Sequence, residues 1–268
     1  MSEAGGRLGR ALHAEWTKLR TDRGTGGLLL AVIGLTVSLS TAVVAAVTAE
    51  PCSPGGCPLD GPRLSLTGVI LGQTAVVILA VLTIGNEYST GLIRTTLTAM
   101  PHRLCVLTAK AAVLSGVLLV TGTAVVLGSL LAGRLILPGH GFTAANGYPA
   151  LTLADEAVLR AAIGSVLYLV LIGLLSLGIA TAVRDSATAS GLVLGLLYLF
   201  PLLVQVVKDP QWQRHLQQLG PMNAGLAIQN TIGLDRLPIG PWAGLAVLAG
   251  WASAALLAGG LVLSRRDA

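Results

Sequence analysis

Long apolar runs alternate with short polar connections along the whole chain, and the runs decide the architecture. Six of them, 27–49, 64–85, 106–133, 160–183, 187–207 and 241–263, can each cross about 30 Å of hydrocarbon as a helix of roughly 20 residues. Helices are expected because a backbone amide in lipid must find its partner within its own segment. None of the runs contains Asp or Glu, and the basic residues inside them, Lys110 and Arg160, lie near an end. From there they are predicted to snorkel to the interface. The chain reads as an all-α polytopic membrane protein of one domain, residues 1–268. A cytoplasmic interfacial helix occupies 1–26, a six-span bundle 27–263 and a cytoplasmic tail 264–268. The first run is too long for the apolar stretch of a cleaved signal peptide.

The connections differ in character. Residues 50–63 and 134–159 are rich in Gly and Pro and read as external loops, whereas 184–186 leaves room only for a tight cytoplasmic turn. In the longest connection, 208–240, Trp212, Leu216 and Leu219 fall at helical spacing, and 221–232 is a moderately apolar half-helix. Either one or two short helices in the outer interface or an ordinary solvated loop fits this pattern.

Composition agrees: 53% of residues are hydrophobic, 11% charged and 4% aromatic, with 34 glycines. That mixture suits closely packed membrane helices and excludes a water-soluble globule. The net charge of +5 forms no patch, so nucleic acid is not an expected partner. Instead the charge sets orientation. Arg7, Arg10, Lys18, Arg20, Arg23, Arg94, Arg103, Lys110, Arg184, Arg265 and Arg266 fall on the side of the termini. Only Arg63, Arg134, Arg160, Lys208, Arg214 and Arg236 fall on the other, which predicts cytoplasmic termini in the cell membrane.

Two cytoplasmic segments stand out. At the N-terminus Leu8, Ala11, Leu12, Trp16 and Leu19 share a helical face flanked by Arg7, Arg10, Lys18 and Arg20. This suits an amphipathic helix on the inner leaflet, with membrane lipid as its partner. Between the second and third runs, Asn86 can cap a short helix, Tyr88, Leu92 and Leu97 give it an apolar side, and Pro101 ends it. A polar helix hung between two spans suits docking to a cytoplasmic protein.

The residues Gly85-x-Glu87, Gly91, Arg94-Thr95-Thr96, Leu97, Pro101 and Arg103 resemble the signature of ABC-2 type permeases, the membrane subunits of ATP-driven exporters. The stretch Glu15-Trp16-Thr17-Lys18-Leu19-Arg20 is similar to the interfacial elbow helix of bacterial members. The resemblance implies a coupling helix seated in an ATPase subunit, with Glu87, Gly91, Arg94, Thr95, Thr96 and Arg103 in the contact. It further implies a second permease copy or homologue, since six spans make half a path. The expected cargo is an amphipathic drug-, peptide- or lipid-like molecule.

No Gly-x-x-x-x-Gly-Lys-Ser/Thr motif occurs, so ATP and Mg are expected on a separate subunit and no cofactor or catalytic site on this chain. His13, His102, His140 and His215 lie outside the runs and form no His-Glu-x-x-His motif. Gln73, Gln205 and hydroxyls such as Ser38, Ser40, Thr121 and Thr123 are candidates for a transport path or for bonds between helices. Gly68-x-x-x-Gly72 and Gly191-x-x-x-Gly195 fit close helix crossings, and Ser115-Gly116 and Ser190-Gly191 read as small residues at helix contacts. Cys52 and Cys57, flanking Ser-Pro-Gly-Gly in an external loop, are placed to form a disulfide, with Cys105 on the other side. Two further readings compete with export. One is a non-transporting immunity or resistance protein; the other is an ion-coupled carrier, disfavoured by the acid-free runs and the lack of an internal repeat.

Overall fold

Apolar runs of 20 to 30 residues bounded by Gly, Pro and Asp leave the chain few options besides helices, and a computed structural model shows them. It describes residues 9, 12–18, 21, 23–53, 57–91 and 103–265. The helical residues 12–18 are labelled α1, and α2 (Arg23–Ala46), α3 (Gly61–Ser65), α4 (Val69–Ser89), α5 (Arg103–Ile136) and α6 (Glu156–Val183) come after them. Then follow α7 (Ser186–Leu194), α8 (Phe200–Val206), α9 (Pro210–Leu219), α10 (Pro221–Leu226) and α11 (Pro241–Arg265). Among the described residues six helical stretches are long and apolar enough to cross a membrane: Gly24–Ala46, Gly61–Tyr88, Leu104–His140, Glu156–Val183, Ser186–Val206 and Pro241–Arg265.

The second and fourth spans form the centre. In each, 61% of the most apolar window is buried, against 22% to 33% in the other four. Val76, Ala80 and Ile84 of α4 belong to one core with Tyr168, Ile172 and Leu175 of α6. The fourth span packs most extensively on the sixth, and glycine explains the close approach. A Cβ on Gly178 would lie 2.5 Å from the carbonyl carbon of Ala255, and one on Gly259 would lie 2.7 Å from the Gly178 carbonyl oxygen.

The sequence spacings fare unequally. Gly68 and Gly72 do mark a crossing, with the first span: a Cβ on Gly68 would meet the Thr36 oxygen at 2.1 Å. The Gly191-x-x-x-Gly195 crossing is not formed. Gly191 and Gly116 have nothing within 4 Å, and both face outward. The fifth span is interrupted by a π-helical turn, Gly195–Leu199, between α7 and α8. Pro201, lacking an N–H, is the second residue of α8, just after the turn, where the missing donor is compatible with the widened backbone.

At the end opposite the chain termini the connections form a braced cap. Asp60 accepts from Arg63 N at the start of α3 and from Thr231 N and Thr231 Oγ1, each of the last two at 2.7 Å. Ala49 N donates to His140 O, and the Tyr148 hydroxyl donates to Glu50 O. Cys52 and Cys57 are joined by a disulfide, their Cα atoms 4.3 Å apart, and Cys105 is a free thiol. The connection between the fifth and sixth spans carries two short helices. α9 stays at the surface, whereas α10 and the turn after it pack among the spans: Gly225 sits on the Tyr168 ring and Ile228 on Gly164.

Candidate functional site

The described part of the terminal end holds a cluster that no single helix reveals. Lys110 was expected to snorkel, yet its ammonium points inward, with the side chain only 3% exposed. Its Nζ donates to Glu15 Oε2 at 2.7 Å, to Glu87 Oε1 at 2.9 Å and to the Thr83 carbonyl at 3.2 Å. Lys18 donates to the same two carboxylates, Glu87 Oε1 at 2.7 Å and Glu15 Oε1 at 3.1 Å. The physical reason is the burial of Lys110: a buried ammonium is tolerated only where carboxylates and carbonyls replace its hydration. Two acids and two bases balance, and α1, the second span and the third are tied at one point.

This corrects the reading of Glu87. The polar run from Asn86 suggested that α4 had ended and that a new helix began with Asn86 as its cap. Instead Asn86 and Glu87 lie inside α4, whose last turn continues to Ser89. Glu87 is 6% exposed and turned towards Lys110 and Lys18 rather than towards a cytoplasmic partner. The second span therefore does carry an acid. Within the cluster Glu15 uses both oxygens, whereas Glu87 Oε2 is buried without a hydrogen-bond partner among the described residues.

The two glycines of the signature have structural reasons. Gly91 adopts φ +72, a left-handed conformation that glycine reaches without strain, and its N–H closes α4 on Tyr88 O at 3.3 Å. Gly85 lies against the start of the fifth span, where a Cβ would stand 2.0 Å from Ser186 Oγ. At the same end the Arg184 guanidinium lies 5.7 Å from the centre of the Tyr88 ring. Arg94, Thr95, Thr96, Leu92, Leu97 and Pro101, and Arg20 in the N-terminal stretch, lie outside the described residues, as does the side chain of Arg103.

In α1 Glu15 is buried and Trp16 is 51% exposed, so the helix holds the bundle through an acid and offers its indole outward. Partial burial works against the Lys18 charge, but Glu87 and Glu15 outweigh it and hold this ammonium above the ordinary lysine value. A cavity of about 390 Å³ lies beside the cluster, walled on its apolar side by Leu28, Leu79, Leu82, Val113 and Leu114.

The other polar candidates separate. Gln73 is fully buried, accepting from the Tyr168 hydroxyl and donating to Met222 Sδ at 3.5 Å, so it joins α4, α6 and α10. Gln205 is exposed on the outer face of α8. Ser40 Oγ accepts from Gly68 N at the first crossing, and Thr123 Oγ1 donates to Leu119 O in its own helix. Arg160 also turns inward, donating to Asn230 O at 2.8 Å. No group of three metal-ligating side chains occurs among the described residues.

Sequence reasoning missed the cluster because its members come from three elements. The available signal was Lys110 itself: a lysine within a long apolar run requires a partner. The fold and site thus define an all-helical protein with six helices able to cross a membrane and a buried ion cluster at the terminal end. No family model matches the chain, and no curated protein matches it.

Proposed function

We propose that this chain is the membrane subunit of an ATP-driven exporter of the ABC-2 permease type, both termini in the cytoplasm. The observation that carries the reading is the signature from Gly85 to Arg103, which begins in the last turns of the second span and leaves it through the Gly91 turn. ATP and Mg would belong to a separate ATPase subunit, seated on residues 92–102. A second permease copy or homologue would complete the path.

The cluster gives such docking a route into the spans. Gly91 is one helical turn beyond Glu87, and Glu87 shares Lys110 and Lys18 with α5 and α1. A displacement of the connection would then move the second span, the third span and α1 together. An ATPase with different affinities for two arrangements of this unit would shift their populations.

The test is co-purification of a P-loop ATPase encoded beside this chain, with hydrolysis measured in reconstituted membranes. Arg94→Ala with Thr95→Ala is expected to lose both, while Asp155→Ala at the opposite end keeps them. Wild-type behaviour of both variants rejects the docking assignment.

One observation favours a second reading. Glu87 and Lys110 are buried at the end of two spans, which removes an objection to an ion-coupled carrier. Uptake or efflux that survives ATP depletion but stops when ion gradients are collapsed would select it.

A further inference from the structure

The cluster combines three features that a purely structural ion pair does not need. First, its two lysines are unequal: the Lys110 side chain is 3% exposed, whereas that of Lys18 is 46% exposed and reaches in from α1. Second, Glu87 Oε2 is buried and unpartnered among the described residues, although Oε1 of the same carboxylate takes two ammonium groups. Third, Glu15, Lys18, Glu87 and Lys110 line a cavity of about 390 Å³ together with Leu28, Leu79, Leu82, Val113 and Leu114 and the polar Thr25, Thr83, Asn86 and Thr90. That volume is within the range of small-molecule sites.

We infer that this cavity is a binding site for an amphipathic primary amine, and that Lys18 is a tethered occupant of its ammonium position. An ammonium offers three donors. Lys18 spends two, on Glu15 Oε1 and Glu87 Oε1. A free amine in its place keeps both bonds and can add a third to Glu87 Oε2. Its apolar body fills the space beside Leu28, Leu79 and Val113, which the lysine stem does not occupy.

Electrostatics select the class. Exchange of one ammonium for another leaves two acids and two bases, so no net charge is buried. A carboxylate or phosphate would instead face two carboxylates, and a neutral alcohol would leave them with one cation fewer. Lys18, half-exposed on a flexible stem, can swing to water, and its bonds to Glu15 and Glu87 set the cost that an incoming amine has to meet. Because it comes from α1, its displacement frees one of the two anchors of that helix, the other being Glu15 on Lys110. As a substrate site this rests on the export reading; as a binding site it does not.

The full-length chain in lipid nanodiscs is titrated with radiolabelled phenylbutylamine, with phenylbutanol and phenylbutyrate as probes of the same apolar body. Saturable binding of the amine is expected, the alcohol and the acid being weaker by about tenfold or more. Lys18→Gln removes the competitor and tightens amine binding by about tenfold, while Glu87→Gln weakens it by at least as much. Equal, non-saturable uptake of all three probes overturns the site, as does a Lys18→Gln variant that binds no tighter than the parent. Should Glu87→Gln fail to fold, the Lys18 variant, changed at a half-exposed position, and the three probes still decide. No ATPase is present, so failed binding is distinct from failed export.

Discussion

Lys110 Nζ lies 2.7 Å from Glu15 Oε2, joining residues 95 positions apart and holding the N-terminal helix against the third span. With Glu87 on its other side, this ammonium is the most buried charge in the cluster, and the two carboxylates depend on it.

Lys110→Met should therefore be strongly destabilising. It leaves two buried carboxylates with only the half-exposed Lys18, and breaking a buried ion pair from one side typically costs about 3 to 5 kcal/mol. Thermal unfolding of the detergent-solubilised chain measures it. A double-mutant cycle of Glu15→Ala with Lys110→Ala should show coupling of about 0.5 to 3 kcal/mol. A Lys110→Met variant melting with the parent would show that water already solvates this site.

Glycines predict a sharp contrast between neighbouring spans. Gly178→Ala places a methyl 2.5 Å from the backbone of Ala255 and Leu256, which cannot give way without parting the fourth and sixth spans. Overpacking of this kind typically costs about 1 to 3 kcal/mol. Gly191→Ala meets nothing within 4 Å in a helix interior, and should be neutral or stabilise by up to about 1 kcal/mol. Equal melting temperatures would reject the tight crossing.

These cases show what was legible in the sequence. All six spans could be read from their apolar runs, because lipid leaves the backbone no alternative to helix. Partners could not. Gly68-x-x-x-Gly72 and Gly191-x-x-x-Gly195 have the same spacing, but only the first faces another helix, and spacing says nothing about what stands opposite. The Gly178 crossing pairs single glycines on separate helices, so no motif marks it. Glu87 looked like a loop residue because hydropathy falls at Asn86. The helix runs on because Lys110, on another span, gives that carboxylate a partner. The half-helix after Pro221 was visible as apolar, whereas its burial against Tyr168 and Gly244 was not.

Orientation can be measured directly. Ser53 and Gln211 lie on connections at one end and Ser264 at the other, all three exposed. In a background with the three cysteines replaced, Ser53→Cys and Gln211→Cys should react with an impermeant thiol reagent on intact cells. Ser264→Cys should react only after permeabilisation, because the excess of Lys and Arg favours a cytoplasmic terminal end. The reverse pattern would place the termini outside and remove the cytoplasmic docking surface from the export reading.

Alkaline pH should release the N-terminal helix, and the sign follows from Lys18. Partial burial opposes its charge, Glu87 and Glu15 favour it, and the balance lies above the ordinary value of 10.5. A group raised in the folded state contributes stability that is fully present below its unfolded value and is lost as pH rises through the folded one. Docking of α1 should thus be insensitive to Lys18 titration at neutral pH and weaken only above 10.5. A fluorophore on Thr17→Cys, an exposed position next to Lys18, reports the change. Alkaline unfolding of the whole chain would give a similar curve, so the decisive comparison is Lys18→Arg. Its guanidinium stays protonated throughout this range. The transition should move to higher pH in that variant, whereas identical midpoints with Lys and Arg at position 18 would show that another group controls α1.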